Sequence, residues 1–384
     1  MIKKIIISLT YILLFFNTNL LSNENNKELK IGLLAPFSGE YKNLGKSLLF
    51  SIQLALAEID DSKIIIIPRD SGTNDKNRLN NSIKEIADSG ARVIIGPMDS
   101  DDFNEIKKYK DLIFISLSNK NPKIEENIIS IGISLESQID AIQKFILKKN
   151  KKKTVIMFPE NQYSNFIEEK IKSIKLQNYK IFKYSSDPKV LTGEIQELTN
   201  YTQRKNNLKS RKKILEGKDD LASVRELKKL EQKYTLGKVN FDSIIVIDFG
   251  NSLKSALASL IFSDVSDEDV LFTTVNQWFD KSIFYENSVK NLYYPSVNLK
   301  KISSYNKNFI QTFKTQPNEI TILAYDALGL IYYIWSKNNG INSINDFLIK
   351  DKISGKIGTF SFRNGSVFQE LKIYKTSDGK FIKN

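Results

Sequence analysis

The 384-residue chain contains no histidine and no cysteine. Those two zeros exclude Ser-His-Asp and Cys-His nucleophile systems, the zincin type of metal peptidase, and any thiolate or imidazole metal centre. Catalysis would have to run on carboxylates, lysine, tyrosine or Ser-Lys chemistry, and no pair of these has a spacing that argues for acid-base work. The reading is therefore of a non-enzymatic protein with no metal and no cofactor. Acidic residues are the scarcer charged class, 44 against 57 basic ones, for a net charge of +13. The lysines are spread along the chain and mixed with isoleucine and asparagine, which describes a solvated surface better than a nucleic-acid face.

Long apolar runs are also missing, apart from one at the N-terminus. Lys3 and Lys4 precede the run Ile5 to Phe16, which is too short for a membrane span and has the layout of a signal peptide. "NTNLLSNENN" follows, with Ser22 as the small residue at the cleavage site. Residues 1–22 are thus expected to direct export to the periplasm. The mature chain is expected to have no membrane span and, lacking cysteine, no lipid-modified N-terminus.

What is present is alternation. "LKIGLLA" and "KIIIIPRD" flank a segment with Leu48, Leu49, Ile52, Ala55, Leu56 and Ile59 on one helical face. "RVIIG", "LIFISLS" and "IISIGIS" continue as strands, with helices predicted over 79–88 and 103–110. A second series begins with a helix at 138–148, "TVIMFP", a helix at 166–176 and "YKIFKY", and resumes with "FDSIIVID", a helix at 252–262 and "VLFTTV". The pattern is α/β, with parallel sheets flanked by helices, in two lobes. The expected division is 28–133 plus 288–340 for the first lobe and 134–287 plus 341–384 for the second. Ligands are expected between them, at the carboxyl ends of the strands. Residues 201–238 form a charged helical insertion, with Gly217 as a break and Gly237 as a stop. From Arg204 to Lys238 it carries twelve basic and five acidic residues. Leu221, Val224, Leu227, Leu230 and Tyr234 make a narrow apolar stripe. It is either a solvated insertion or a partner-binding element.

Two motifs fail on spacing. "APFSGEYKNLGKS" has one residue too many between Gly39 and Gly45 for a phosphate-binding loop. "DSDDFNEIKKYK", read as a calcium loop from Asp99, has Phe103 at the fifth position, Asn104 at the sixth and Lys110 at the twelfth. Asp99, Ser100, Asp101 and Asp102 instead suit an N-cap and first turn, with Ser100 as a ligand contact. Asp70 is read as a turn or cap residue. Tyr325 and Asp326 are assigned packing and an internal hydrogen bond, because a buried carboxylate needs a partner. "SFRNGSV" reads as a hairpin turn.

Together, "IGLLAPFSGEYKNLGKSLLFSIQLALAEI", "PRDSGTN", "ARVIIGPMDSDD", "ISLSNKNP", "FPENQYS" and "AYDAL" resemble the type I periplasmic binding fold of the leucine/isoleucine/valine-binding group. For an amino-acid-binding member the resemblance implies ligand contacts at Ser100, Ser118 and Asn119, with Tyr163 closing over them. Lys120 stands where those members carry a small hydroxyl residue, and Ser164 where they carry glycine. A lysine there pairs with a carboxylate but repels an ammonium, which counts against a zwitterion. Trp278 in "NQWFD" is a cleft candidate or a sheet-edge cap. The insertion, "YTLGKVNFDSIIVID", "TTVNQWFD", "LAYDALGLIYYIW" and "ISGKIGTFSFRNGSVFQELKIYK" resemble the penicillin-binding protein activator family. That resemblance implies regulation of a peptidoglycan synthase by contact. The alternative is the solute-binding component of an ABC importer for amino acids or small anions, partnered by the importer's membrane subunits.

Overall fold

The computed structural model describes residues 28–119, 126–172, 174–276, 290–363, 366–377 and 380–383. The first lobe opens with β1 (Leu29–Ala35), α1 (Lys42–Ile59), β2 (Ile64–Asp70) and α2 (Lys76–Asp88). It continues through β3 (Val93–Ile95), a 3₁₀ turn at Ser100–Asp102, α3 (Phe103–Ile106), β4 (Ile113–Ser116) and β5 (Ile128–Ser130). The five strands are parallel in the order β2-β1-β3-β4-β5. Parallel strands require covering on both faces. Accordingly Ile31, Leu33 and Ile95 pack with Leu48 and Ile52 of α1, while Ile94 and Phe114 face Leu79, Ile83 and Ile86 of α2. Each such side chain contributes about 1.5–3 kcal/mol by leaving water.

The second lobe holds α4 (Leu135–Lys148), β6 (Thr154–Pro159), α5 (Ser164–Ile171), β7 (Tyr179–Tyr184) and α6 (Pro188–Leu198). The insertion follows as α7 (Tyr201–Glu216) and α8 (Leu221–Glu231), then β8 (Ser243–Val246), α9 (Gly250–Phe262), β9 (Leu271–Thr274) and β10 (Leu292–Ser296). The chain ends with α10 (Leu299–Phe313), α11 (Ile322–Asn338), β11 (Ile353–Ser354), β12 (Thr359–Arg363), β13 (Ser366–Glu370), β14 (Lys372–Ser377) and β15 (Lys380–Lys383). The second sheet runs β15-β14-β10-β9-β8-β6-β7, with β14 and β15 antiparallel to their neighbours. β11, β12 and β13 form a small antiparallel sheet. The expected turn in "SFRNGSV" lies between strands that pair Arg363 with Ser366; residues 364 and 365 are outside the described residues.

Two sequence expectations need correction. The helix expected over 103–110 ends at Ile106. Its last turn tightens, and the Asn127 side-chain amide donates to the carbonyls of Ile106 and Tyr109. The lobe boundaries at 288 and 341 also fall elsewhere. β10 pairs with β9 and β14 in the second sheet, while Phe347, Ile357, Phe360 and Val367 pack in the first lobe's core. The return to the first lobe therefore follows Ser296, and the last crossing comes after β13.

The insertion breaks at Gly217, as its sequence predicts, and Asp220 caps α8 by accepting from the Ser223 amide at 2.9 Å. Leu208, Leu215 and Leu230 zip the two helices together, with Leu227 and Leu236 alongside. Arg211 forms a bidentate pair with Glu226 at 2.8 and 2.7 Å across them. The apolar stripe of α8 therefore divides. Leu227 and Leu230 face α7, while Leu221 and Val224 remain 76% and 52% exposed, and Tyr234, beyond the helix end, 77%.

Candidate functional site

The carboxyl ends of the first sheet converge on one cavity of about 330 Å³ between the lobes. Each loop contributes to its wall: Pro36 and Tyr41 after β1, Ser71 to Asn74 after β2, Met98, Asp99, Asp101 and Asp102 after β3, Leu117 to Asn119 after β4, and Gly132 after β5. This is where an open α/β sheet places its ligands. The second lobe closes the space with Gln138 of α4, Phe249 beyond β8 and Asn276 beyond β9.

Asp70 organises the β1 and β2 loops. Its Oδ1 accepts from the Phe37 amide at 2.9 Å and the Gly72 amide at 3.2 Å, and Arg78 pairs with Oδ2 at 2.8 Å. Burial pushes its pKa up, but the hydrogen bonds from Ser38, Gly72 and Phe37 and the Arg78 charge outweigh it and hold the carboxyl below the usual range. The turn role expected for Asp70 is the one seen. In the next loops, the Ser116 hydroxyl donates to the Pro97 carbonyl at 2.9 Å and accepts from the Ser118 amide at 3.1 Å. Gly132 packs so tightly beneath this segment that a Cβ there would lie 2.3 Å from the Ser118 carbonyl oxygen. Only glycine permits that approach, so it fixes the height of the cavity floor.

After β3, Asp99 caps the 3₁₀ turn by accepting from the Asp101 amide at 3.0 Å, as its position predicts. That turn brings Asp99, Asp101 and Asp102 onto the cavity wall and leaves Ser100 off it, contrary to expectation. Burial, compounded by the charges of Asp99 and Asp101, pushes Asp102 up to about 6; Lys76 opposes the shift. A carboxyl raised in the folded state gives stability that is fully present below its unfolded value and is lost as pH rises through its folded one. Asp102→Asn is therefore expected to be more stable than wild type at pH 7, by about 1–2 kcal/mol after allowance for solvent screening. The advantage should close between pH 6 and pH 4. Thermal melts at several pH values check this, and a variant no more stable at pH 7 refutes it.

Ser118 and Asn119 line the cavity. Tyr163 does not: it sits at the N-terminus of α5, half exposed, with its amide donating to Asn161 at 2.8 Å. The aromatic wall comes instead from Phe249 and Tyr41. Lys120 and Trp278 lie outside the described residues. Among the described residues no Lys or Arg lines the cavity, and no group of carboxylates is placed to hold a metal ion.

Sequence reasoning missed Gln138, Phe249 and Asn276. Phe249 stands on a buried brace: its amide donates to Asp248 Oδ1 at 2.8 Å, while Tyr184 donates to Asp248 Oδ2 at 2.5 Å. Gln138 Oε1 accepts from the Asn276 amide at 2.8 Å, and Asn276 Nδ2 donates to the Pro295 carbonyl at 2.9 Å. The signal available was position alone, because Phe249 and Asn276 follow the apolar runs "SIIVID" and "LFTTV".

A periodic pattern of strands ending at a shared cleft has counterparts among known proteins. Residues 28–174 match the periplasmic binding protein family. No curated protein sequence matches the chain. Among solved structures, the C-domain of LpoA (YraM) from Haemophilus influenzae, a regulator of PBP1A, aligns with a TM-score of 0.63 at 13% identity, covering 92% of this chain and 99% of that domain. Against a full-length LpoA structure from the same organism the TM-score is 0.62 at 14% identity, and the chain spans 59% of that protein. A putative branched-chain amino acid ABC transporter protein from Rhodospirillum rubrum aligns with a TM-score of 0.69 at 10% identity, covering 93% and 100%. The chain thus has the type I periplasmic binding fold, shared by LpoA and by leucine-binding proteins, and its residues 28–174 carry the family's sequence signature.

Proposed function

We propose that this is an exported, non-enzymatic regulator of peptidoglycan synthesis that works in the periplasm by contact with a penicillin-binding synthase. The observation that carries the reading is the basic hairpin α7–α8, which is rooted in the second lobe by a buried arginine and turns an apolar and cationic face outward. Leu221, Val224, Arg225 and Lys228 share that face at i, i+3, i+4 and i+7. Exposed apolar side chains set beside cationic ones make a mixed face that suits a protein surface of opposite charge. The likeness to the LpoA C-domain lends further support. Replacing residues 210–229 by a short Gly-Ser turn is expected to abolish binding to a purified synthase in surface plasmon resonance, while the melting temperature changes by only a few degrees. Unchanged binding would sink the proposal.

A second reading, capture of a small molecule as the solute-binding component of an importer, is favoured by the inter-lobe cavity and its uncommitted amides. The two readings are compatible, since a cleft ligand could set the angle between the lobes that a partner sees.

A further inference from the structure

Among the described residues, the charged side chains that line the cavity are all acidic. Asp99, Asp101 and Asp102 face it, and no described cation does. Opposite them, Gln138 and Asn276 are each 8% exposed, and each spends only one half of its amide on the protein. Gln138 Nε2 and Asn276 Oδ1 have no hydrogen-bond partner among the described residues, although both side chains line the cavity. Opening onto the cavity, these two atoms are available to water or to a ligand. The rest of the wall mixes neutral polar side chains, Ser71, Thr73, Asn74, Ser118 and Asn119, with apolar and aromatic ones, including Leu117, Ile133 and Phe249.

We propose that the cleft selects a small organic cation: a molecule with a primary ammonium, a neutral polar group and an apolar body, and without a free carboxylate. The ammonium answers the aspartates and the Asn276 carbonyl oxygen. A neutral carbonyl or hydroxyl oxygen takes the open Gln138 N–H. The exposed ring of Phe249 covers the charge as aromatic faces do for cations. A free carboxylate would meet the three like charges of Asp99, Asp101 and Asp102. This rests on the reading that the cleft binds a small molecule, and it commits that reading to one ligand class.

Three probes with the same side chain separate the charges: leucinamide, leucine and 4-methylpentanoate. Titration calorimetry on the intact protein is expected to detect leucinamide, with leucine at least tenfold weaker and 4-methylpentanoate silent. Asp102→Asn and Phe249→Ala are each expected to weaken leucinamide about tenfold. Phe249 is 58% exposed, so its truncation leaves the fold intact and guards against a carboxylate variant that disturbs its own loop. Leucine binding as tightly as leucinamide, or any binding of 4-methylpentanoate, overturns the cation class while sparing the cleft as a small-molecule site. Silence from all three removes both.

Discussion

Asp326→Ala is expected to destabilise the first lobe by about 3–4 kcal/mol, a fall of roughly 10 °C in melting temperature. Asp326 lies in the buried face of α11 and accepts from the backbone amides of Lys356 at 2.6 Å and Ile357 at 2.9 Å. Those two donors sit in the loop between β11 and β12, thirty residues on, so one carboxylate pins the C-terminal segment to the core. Removing it orphans two amides, each worth about 1–3 kcal/mol when buried and unsatisfied. The same segment is held from its other side, because Lys356 pairs with Glu58 of α1 at 2.8 Å and Tyr325 donates to the same carboxylate. That outer network is partly exposed and contributes less. It therefore cannot replace the latch. Hydrogen exchange should show faster exchange at Lys356 and Ile357 than elsewhere in the lobe. A variant within 1 kcal/mol of wild type would mean that the loop is held by its packing alone.

The role of Asp326 was legible from the sequence because the argument was local: an aspartate inside an apolar helical run must be paired. The same holds for the parallel alternation, the break at Gly217 and the cap at Asp99, each set by residues within a few positions. The C-terminal partition was not legible. Whether Leu292–Ser296 joins one sheet or the other depends on β9 and β14 presenting edges to it, and nothing in "LYYPS" encodes that choice. The site divides along the same line. Asp99 to Asp102 and Ser118 to Asn119 follow strands of one sheet, so the carboxyl-end rule finds their neighbourhood. It does not say that a 3₁₀ turn would turn the aspartates inward and Ser100 away. The opposing wall depends on how two lobes face each other, a contact between residues more than a hundred positions apart. That is why Tyr163, expected by resemblance, gives way to Phe249 and Asn276.

Arg204→Ala is expected to cost about 3–5 kcal/mol and to release the hairpin from the second lobe. Arg204 is only 5% exposed although it begins the basic stretch of the insertion. Its Nε donates to the Thr199 carbonyl at 3.0 Å, and Nη1 donates to the Thr235 hydroxyl at 3.1 Å and the Asp264 carbonyl at 3.2 Å. Nη2 donates to the Ser263 carbonyl. One side chain thus ties the end of α6, both feet of the hairpin and the turn after α9, where Asp264 adopts a left-handed backbone at φ 56°. Burial disfavours the charge and lowers its pKa, and the Asp264 carboxylate only partly opposes this. Truncation leaves those carbonyls and the Thr235 hydroxyl short of a donor together. Lysine should not rescue, because an ammonium on a flexible stem cannot reproduce the planar fork that reaches four acceptors. The hairpin's own zipper of Leu208, Leu215 and Leu230 and the Arg211–Glu226 pair lie beyond the anchor, so α7 and α8 should stay helical while losing their fixed angle to the sheet. Circular dichroism would then change little as protease cleavage near Thr199 and Thr235 rises steeply. If synthase contact depends on a rigidly presented hairpin, Arg204→Ala should weaken it nearly as much as deleting the tip. A variant that melts like wild type would instead show that the leucine contacts alone seat the hairpin.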